Sequence, residues 1–385
     1  MRIVFRALIR FIREADTLLL VLSLASSIFG LIMVSSVVKN LESPGNDVYV
    51  QLGAFIIGII LFVLFSYIDI DIIADKSAFL FVFSILFIST LYFWGVGAEE
   101  TGNKAWLRFF GIGIQPSEVV KVTFIIIIGR MIANHKERKS LNSIVPLLQI
   151  MLVFALIFGL IVWVSADLGS ALVYVFILVV MLFVGGVKLR WFALGVGVVG
   201  AATPLIVNRL LTQLQKDRIR APFVPEESVD PGRLNVLWQA DQSVKAISSG
   251  GFIGQGLGKG RMTQGGLVPQ QRTDFIFSAV GEELGFIGCM LLVILLMAII
   301  IRCIYVGVKS NNSLGLLVCS GIAAMFISQT FENIGMCLGL LPVIGITLPF
   351  FSYGGSSMVT CFAAMGIVSG IKMRPKPTRF RSIYM

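Results

Sequence analysis

Residues 17–38 read TLLLVLSLASSIFGLIMVSSVV, twenty-two positions without one ionisable side chain. A helix rises 1.5 Å per residue, so this stretch alone reaches across about 30 Å of hydrocarbon. Nine more runs of the same character follow, at 47–68, 77–95, 117–133, 144–164, 168–187, 190–207, 275–301, 313–333 and 354–371. The pattern predicts an all-α polytopic membrane protein of about ten transmembrane helices, organised as one transmembrane domain over residues 1–385. Composition agrees: of 385 residues, 57% are hydrophobic and 14% charged, against about 25% charged in soluble domains. Mean hydropathy is +0.92. A soluble enzyme is excluded.

The formal charge of +10 comes from 31 Lys+Arg against 21 Asp+Glu. These basic residues sit in short segments between apolar runs rather than on one face. That argues for orientation in the bilayer and against nucleic acid as a partner. Arg2, Arg6, Arg10 and Arg13 at one end, and Lys372, Arg374, Lys376, Arg379 and Arg381 at the other, predict cytoplasmic N- and C-termini, as an even number of spans requires. Lys136, Arg138, Lys139, Lys188, Arg190, Arg302 and Lys309 fall on the same side. Glu14 and Asp16, just ahead of the first run, argue against a cleaved signal peptide. Residues 208–273 break the pattern of short connections and read as one long extracytoplasmic loop between spans seven and eight; such loops are commonly functional or disordered. Its second half, Gly250 to Gly266, is dense in glycine and is expected to fold over the membrane rim or re-enter it. Cys289, Cys303, Cys319, Cys337 and Cys361 stand singly with no CxxC pair, which supports neither a disulfide framework nor a zinc site.

Ionisable groups near hydrocarbon cost about 2.5–3.5 kcal/mol each on insertion scales, so each asks for a partner or a purpose. They are Glu118, Lys121, Asp167, Asp274, Glu282, Glu283 and Glu332, and all but Glu282 and Glu283 fall near external span ends. In GNKAWLRFFGIGIQPSEVVK, residues 102–121, Pro116 suits a first helical turn, Glu118 then meets the positive end of the helix dipole, and Lys121 shares its face. The pair reads equally as a capped helix start or, with Lys104, Trp106 and Arg108, as the wall of a site for an anionic lipid headgroup. Asp167, in SADLGS, reads first as the N-cap of the next helix.

Asp274 lies in QQRTDFIFSAVGEELGF, residues 270–286, where capping and chemistry are both open to it. Glu282 and Glu283 fall about 12 Å deeper along a helix and are expected to contact protein or water, at least one of them structurally. GLLPVIGITLPFFSYGGSS, residues 339–357, has no charge and two prolines. It reads as a tight re-entrant turn whose Ser352, Ser356 and Ser357 cap the last span. GQGLGKGR, residues 254–261, is not a phosphate loop, because Gly260 rather than Ser or Thr follows Lys259. The one histidine, His135, lies on the opposite side from the serines near 352–357, and no HExxH occurs, so neither a Ser-His-Asp triad nor a zinc protease can be assembled. What is left for an external rim of carboxylates and cations is acid/base chemistry on an anionic substrate.

These residues carry a resemblance. NKAWLRF, IQPSEVVK, ADLGSA, DPGRLNVLWQADQSVKAISSGGFIGQGLGKG, RTDFIFSAVGEELGF and LLPVIGITLPFFSYGGSS occur in this order from about residue 100 onward. The chain thereby resembles the SEDS proteins (shape, elongation, division and sporulation), the peptidoglycan glycosyltransferases that include RodA, FtsW and SpoVE. It departs from their pattern at Ala166, Trp238, Ser249 and Arg272, where the family usually has Pro, Tyr, Gly and His or Gln. The resemblance implies a multi-pass protein of the bacterial cytoplasmic membrane that polymerises lipid II with inversion at the sugar. It implies Asp274 as the catalytic carboxylate, Lys121, Arg108 and Arg272 as cations for the leaving diphosphate, and Trp106 and Glu118 as site residues. Further substrate contacts implied are Lys104, Gln239, Gln242, Ser243, Ser352 and Ser356. Mg²⁺ or Mn²⁺ on oxygen ligands, membrane lipids and a class B penicillin-binding protein as partner are implied in the same way. The runner-up is a lipid II flippase, although transporters build sites near the midplane and the cytoplasmic half shows no comparable polar pathway. A scaffolding role that docks the partner is compatible with the first reading.

Overall fold

The structure, a computed structural model, describes residues 11, 13–39, 44–97, 103–109, 112–205, 216, 234–310 and 312–374. In chain order its elements are α1 (Thr17–Val37), α2 (Pro44–Tyr67), α3 (Ile70–Asp75), α4 (Ser77–Trp94), β1 (Leu107–Phe109), β2 (Ile112–Ile114), α5 (Pro116–Glu137), α6 (Ile144–Leu160), α7 (Leu168–Gly185), α8 (Leu189–Leu205), α9 (Leu234–Gly250), α10 (Arg261–Gln264), α11 (Ile276–Lys309), α12 (Ser313–Cys337) and α13 (Gly355–Met373). Among the described residues, eight helices are long and apolar enough to cross a membrane: α1, α2, α4, α6, α7, α11, α12 and α13. The other two expected runs are also helices. α5 is richer in charge, carrying Glu118, Lys121, Arg130, Lys136 and Glu137, and α8 is described over 17 residues, as far as Leu205.

Helices α12 and α13 form the interior, with 72% and 78% of their apolar windows buried against 17% for α4. α13 is seated on α2 by the Ser66 hydroxyl, which donates to the Gly366 carbonyl at 3.3 Å, and by the edge-to-face pair Phe55–Phe362. At one end of the bundle, Asp16 caps α1 by accepting from the Leu19 amide at 3.1 Å and pairs with Arg302 at 2.8 Å and Lys372 at 3.7 Å. These contacts knot the start of α1 to the ends of α11 and α13. The opposite ends of α11 and α13 frame the site described below.

The all-α expectation holds, with one short antiparallel hairpin beside the helices, Leu107 paired to Ile114, Arg108 to Gly113 and Phe109 to Ile112. Strands of three residues are too short to show a period-2 pattern. The segment 208–273 is not one loop, since residues 234–250 form α9 and 261–264 form α10. Ser243, Ala246 and Gly250 share its buried face while Lys245, Ser248 and Ser249 are exposed. That stripe is too polar for hydropathy to register, although its 3.6-residue period is helical. Much of 208–233, with Arg209, Arg218, Arg220 and Arg233, lies outside the described residues.

The glycine-rich segment folds onto a kink in α11. Gly285 has φ 66° and ψ −162°, and a Cβ there would stand 2.3 Å from the Gly254 nitrogen. The close approach lets the Gln255 and Gly256 amides donate to the Glu282 and Glu283 carbonyls at 2.9 Å each, and the Phe286 amide to the Gly251 carbonyl at 3.0 Å. Both glutamate side chains are fully buried and serve this fold, as expected of at least one. Glu282 accepts from the Met262 and Thr263 amides at 2.7 and 2.8 Å and from the Thr263 hydroxyl at 2.5 Å. Glu283 accepts from the Ser36 hydroxyl at 2.5 Å, the Gly258 amide at 3.0 Å and the Gln264 amide group at 2.8 Å.

Candidate active site

Five helices begin around one cavity of about 390 Å³: α2, α5, α7, α11 and α13. Backbone N–H groups in a first helical turn lack intrahelical partners and carry partial positive charge, so this convergence favours an anion. Pro116 occupies the first turn of α5, as its fixed φ allows. Glu118 and Lys121 then share a face, as their spacing predicts, and are bonded at 2.6 Å while almost fully buried. α6 runs into a π turn, Ile161–Ser165, and Ala166 takes a left-handed φ of 55°. The chain thereby reverses, and Asp167 caps α7 by accepting from the Ser170 amide at 3.0 Å. Its other oxygen accepts from Gln115 Nε2 at 3.0 Å and from the Ser170 hydroxyl at 2.7 Å. Burial pushes the Asp167 carboxyl up from its ordinary range, and the Ser170 bonds oppose that. Asp167 was legible as a cap; it is a cap and also part of the cavity wall.

The approach to α11 is braced by the uncharged segment. The Tyr353 amide donates to the Arg272 carbonyl at 2.8 Å and the Ser352 hydroxyl to the Thr273 carbonyl at 2.6 Å. Gln51 of α2 clasps that segment in turn, donating to the Ser352 carbonyl at 3.1 Å and accepting from the Gly354 amide at 3.0 Å. Asp274 follows directly and lines the cavity. It is not the α11 cap, because Phe275 holds that position without a side-chain bond. On the far side of its carboxylate stands Gly345, in a left-handed φ of 71°, where a Cβ would lie 3.3 Å from Asp274 Oδ2. Arg272 is bonded to Asp47 and lies over the Tyr353 ring, 5.5 Å from its centroid. Burial, and then the Asp47 charge, push the Tyr353 hydroxyl up to about 12.

Of the expected site residues, Asp274, Trp106, Arg108, Glu118, Lys121, Gln239 and Arg272 line this cavity together. Lys104 is exposed outside it, and Gln242 lies on α9 away from its wall. Ser243 is buried between the Ser278 hydroxyl at 2.5 Å and the Cys337 carbonyl at 2.6 Å, which uses it for packing α9. Ser352 and Ser356 neither line the cavity nor cap α13, whose N-cap is Gly354 with no side-chain bond. Ser352 is the brace described above, and Ser356 accepts from the Gln115 amide at 3.2 Å. Asp47, Glu118, Asp167 and Asp274 face only Arg108, Lys121 and Arg272 in the lining, and two of those cations are held in ion pairs. Asp47, Gln115 and Ser170 were missed by sequence reasoning because each reads as an ordinary polar residue at a helix start.

These features define a polytopic membrane protein whose helix ends gather around a polar pocket lined by Asp47, Glu118, Asp167 and Asp274. The chain belongs to the FtsW/RodA/SpoVE family of cell cycle proteins, which it matches over residues 16–376. It is 32% identical to a probable peptidoglycan glycosyltransferase FtsW of Trichlorobacter lovleyi, over 94% of this chain and 95% of that one. It is 28% identical to the peptidoglycan glycosyltransferase MrdB of Escherichia coli, over 90% and 91%. Among solved structures it is similar to a chain of a peptidoglycan synthase complex described as coordinating polymerization and crosslinking, with a TM-score of 0.77, 25% identity and coverage of 93% and 98%. The rod shape determining protein RodA of Thermus thermophilus shares the fold, with a TM-score of 0.67 at 24% identity over 93% and 97% of the two chains.

Proposed function

We propose that the chain is a peptidoglycan glycosyltransferase that polymerises lipid II at the outer face of the bacterial cytoplasmic membrane, with ten spans and both termini inside. The reading rests above all on Asp274, which lines one cavity with Trp106, Glu118 and Lys121 where five helix N-termini meet. Relatives bearing this activity in their names, aligned along nine-tenths of the chain, support it. A sugar hydroxyl is a weak nucleophile. In the proposed step the Asp274 carboxylate takes the acceptor hydroxyl's proton as that oxygen attacks the donor's anomeric carbon. The anomeric bond to diphosphate breaks with inversion, and the polyprenyl diphosphate leaves. Arg108, Lys121 and Arg272 offset the leaving group's charge together with the helix N-termini, which carry more of that task because Glu118 and Asp47 already hold two of the cations. Among the described residues no group of three or more His, Cys, Asp or Glu side chains converges. No ligand set for Mg²⁺ or Mn²⁺ is assigned among them, and no step here runs through a metal. The partner proposed is a class B penicillin-binding protein, which crosslinks the strands this chain extends; the likeness to one chain of a peptidoglycan synthase complex supports it.

The test adds lipid II to the purified chain with that partner present. Asp274→Ala is expected to make at least about a hundredfold less glycan than wild type, the range of a lost general base. Equal product from both proteins would remove Asp274 from the chemistry.

A further inference from the structure

Asn333 is fully buried in α12 and does not line the cavity, yet its side chain reaches both edges of the acidic site. Nδ2 donates to the Asp274 carbonyl at 2.8 Å and to the Ile346 carbonyl at 2.6 Å. Both neighbours are acceptors, so the amide must present its NH₂ to them, and its two N–H groups are the two donors required. Cys337, one turn further on, adds its thiol to the Asp274 carbonyl at 3.6 Å. Ile346 follows Gly345, the residue whose Cα faces the Asp274 carboxylate from the other side. One side chain thus ties the main chain that carries the carboxylate to the main chain that bounds it. With the Tyr353 amide on Arg272 and the Ser352 hydroxyl on Thr273, three consecutive carbonyls before α11 are each held from outside. The third is held by Asn333.

We infer that Asn333 is a positioning residue for the glycosyl transfer: it sets the gap between Asp274 and the Gly345–Ile346 peptide, and so the place and proton affinity of the carboxylate, without touching substrate. This rests on Asp274 acting as the base. Two substitutions of similar size or smaller fail to meet this geometry. Aspartate at 333, when ionised, turns acceptors toward two carbonyl oxygens, and serine offers one donor that is too short to bridge them. Buried carbonyls left without donors shift until they find others.

The experiment measures lipid II polymerisation against pH for wild type, Asn333→Ser, Asn333→Asp and Asp274→Ala, each with the partner present and each checked for its melting temperature. Asn333→Ser is expected to lose at least about thirtyfold in kcat while KM for lipid II stays within about threefold. The acid limb of its pH–rate profile, which reports the base, is expected to move by half a unit or more. A folded Asn333→Ser with wild-type kcat and acid limb would overturn the inference, as would a loss that vanishes once activity is normalised to folded protein. Should both Asn333 variants fail to fold, Gly345→Ala moves the same wall from the other side and is expected to show the same signature; an unchanged acid limb there overturns it. If Asp274→Ala polymerises as well as wild type, the general-base reading falls. If Asp274→Ala is inactive and Asn333→Ser is unaffected, only the role of Asn333 falls.

Discussion

Glu118 and Lys121 show how one pair of residues carries both fold and site. Their side chains are 6% and 1% exposed and bonded at 2.6 Å. Removing one partner of a buried pair leaves the other's charge without compensation, which costs about 3–5 kcal/mol, whereas replacing both by apolar or neutral groups of similar shape is often close to neutral. Glu118→Gln alone is therefore expected to lower the melting temperature sharply, and Lys121→Met alone to do the same. The double variant Glu118→Gln/Lys121→Met is expected to melt near wild type and still fail to polymerise lipid II, because the stability returns and the cation does not. A double variant as unstable as either single one would show that the pair is not a closed unit. Arg272 follows a related logic. Its guanidinium lies over the Tyr353 ring while bonding Asp47, a pairing of ring contact and fork-shaped donor that lysine lacks, so Arg272→Lys is expected to lose activity although charge is kept.

Among the elements, the helix ends were the legible part. Apolar runs placed all ten long helices of the expected scheme to within a few residues, apart from α11, which runs on to Lys309. Pro116, and Asp167 as a cap, were readable because a fixed φ and a capping carboxylate have local meanings. What brought Asp274, Trp106, Glu118 and Lys121 to one cavity was not readable from spacing, since they come from segments whose adjacency is decided by tertiary packing; the order of motifs supplied the grouping. The serines of the 339–357 segment were misread for the same reason. Capping is a local rule, and long-range acceptors at Thr273 and a long-range donor at Gln115 won over it. The glycine-rich segment gives this scale its prediction. Glu282 and Glu283 replace a hydration shell with amides and hydroxyls of residues 36 and 258–264. Glu282→Ala leaves the buried Thr263 amide and hydroxyl without an acceptor, about 1–3 kcal/mol for each such group. Amide exchange at Met262 and Thr263 is expected to quicken in that variant while α12 and α13 keep wild-type protection. Unchanged exchange at those two amides would mean that the segment is held elsewhere.

Across the whole molecule, the charges sort to two ends. At the Asp16 end, Arg302 and Lys372 meet Asp16, Arg130 meets Asp75, Arg374 meets Asp69, and Asn312 meets Asp71. These contacts join α1, α3, α5, α11, α12 and α13. The other end carries the 390 Å³ pocket and the glycine-rich segment. Under the proposed function the other end takes the lipid-linked substrate, and the positive-inside rule applied to the basic termini predicts that the tied end faces the cytoplasm. That assignment can be tested with little background, because all five native cysteines are buried and free of disulfides. Lys259 and Lys136 are both exposed, one in the glycine-rich segment and the other at the end of α5. Lys259→Cys is expected to react with a membrane-impermeant maleimide on intact spheroplasts, and Lys136→Cys only after permeabilisation. The reverse pattern would put the pocket on the cytoplasmic side, where Asp274 could not serve polymerisation outside the cell whatever its geometry.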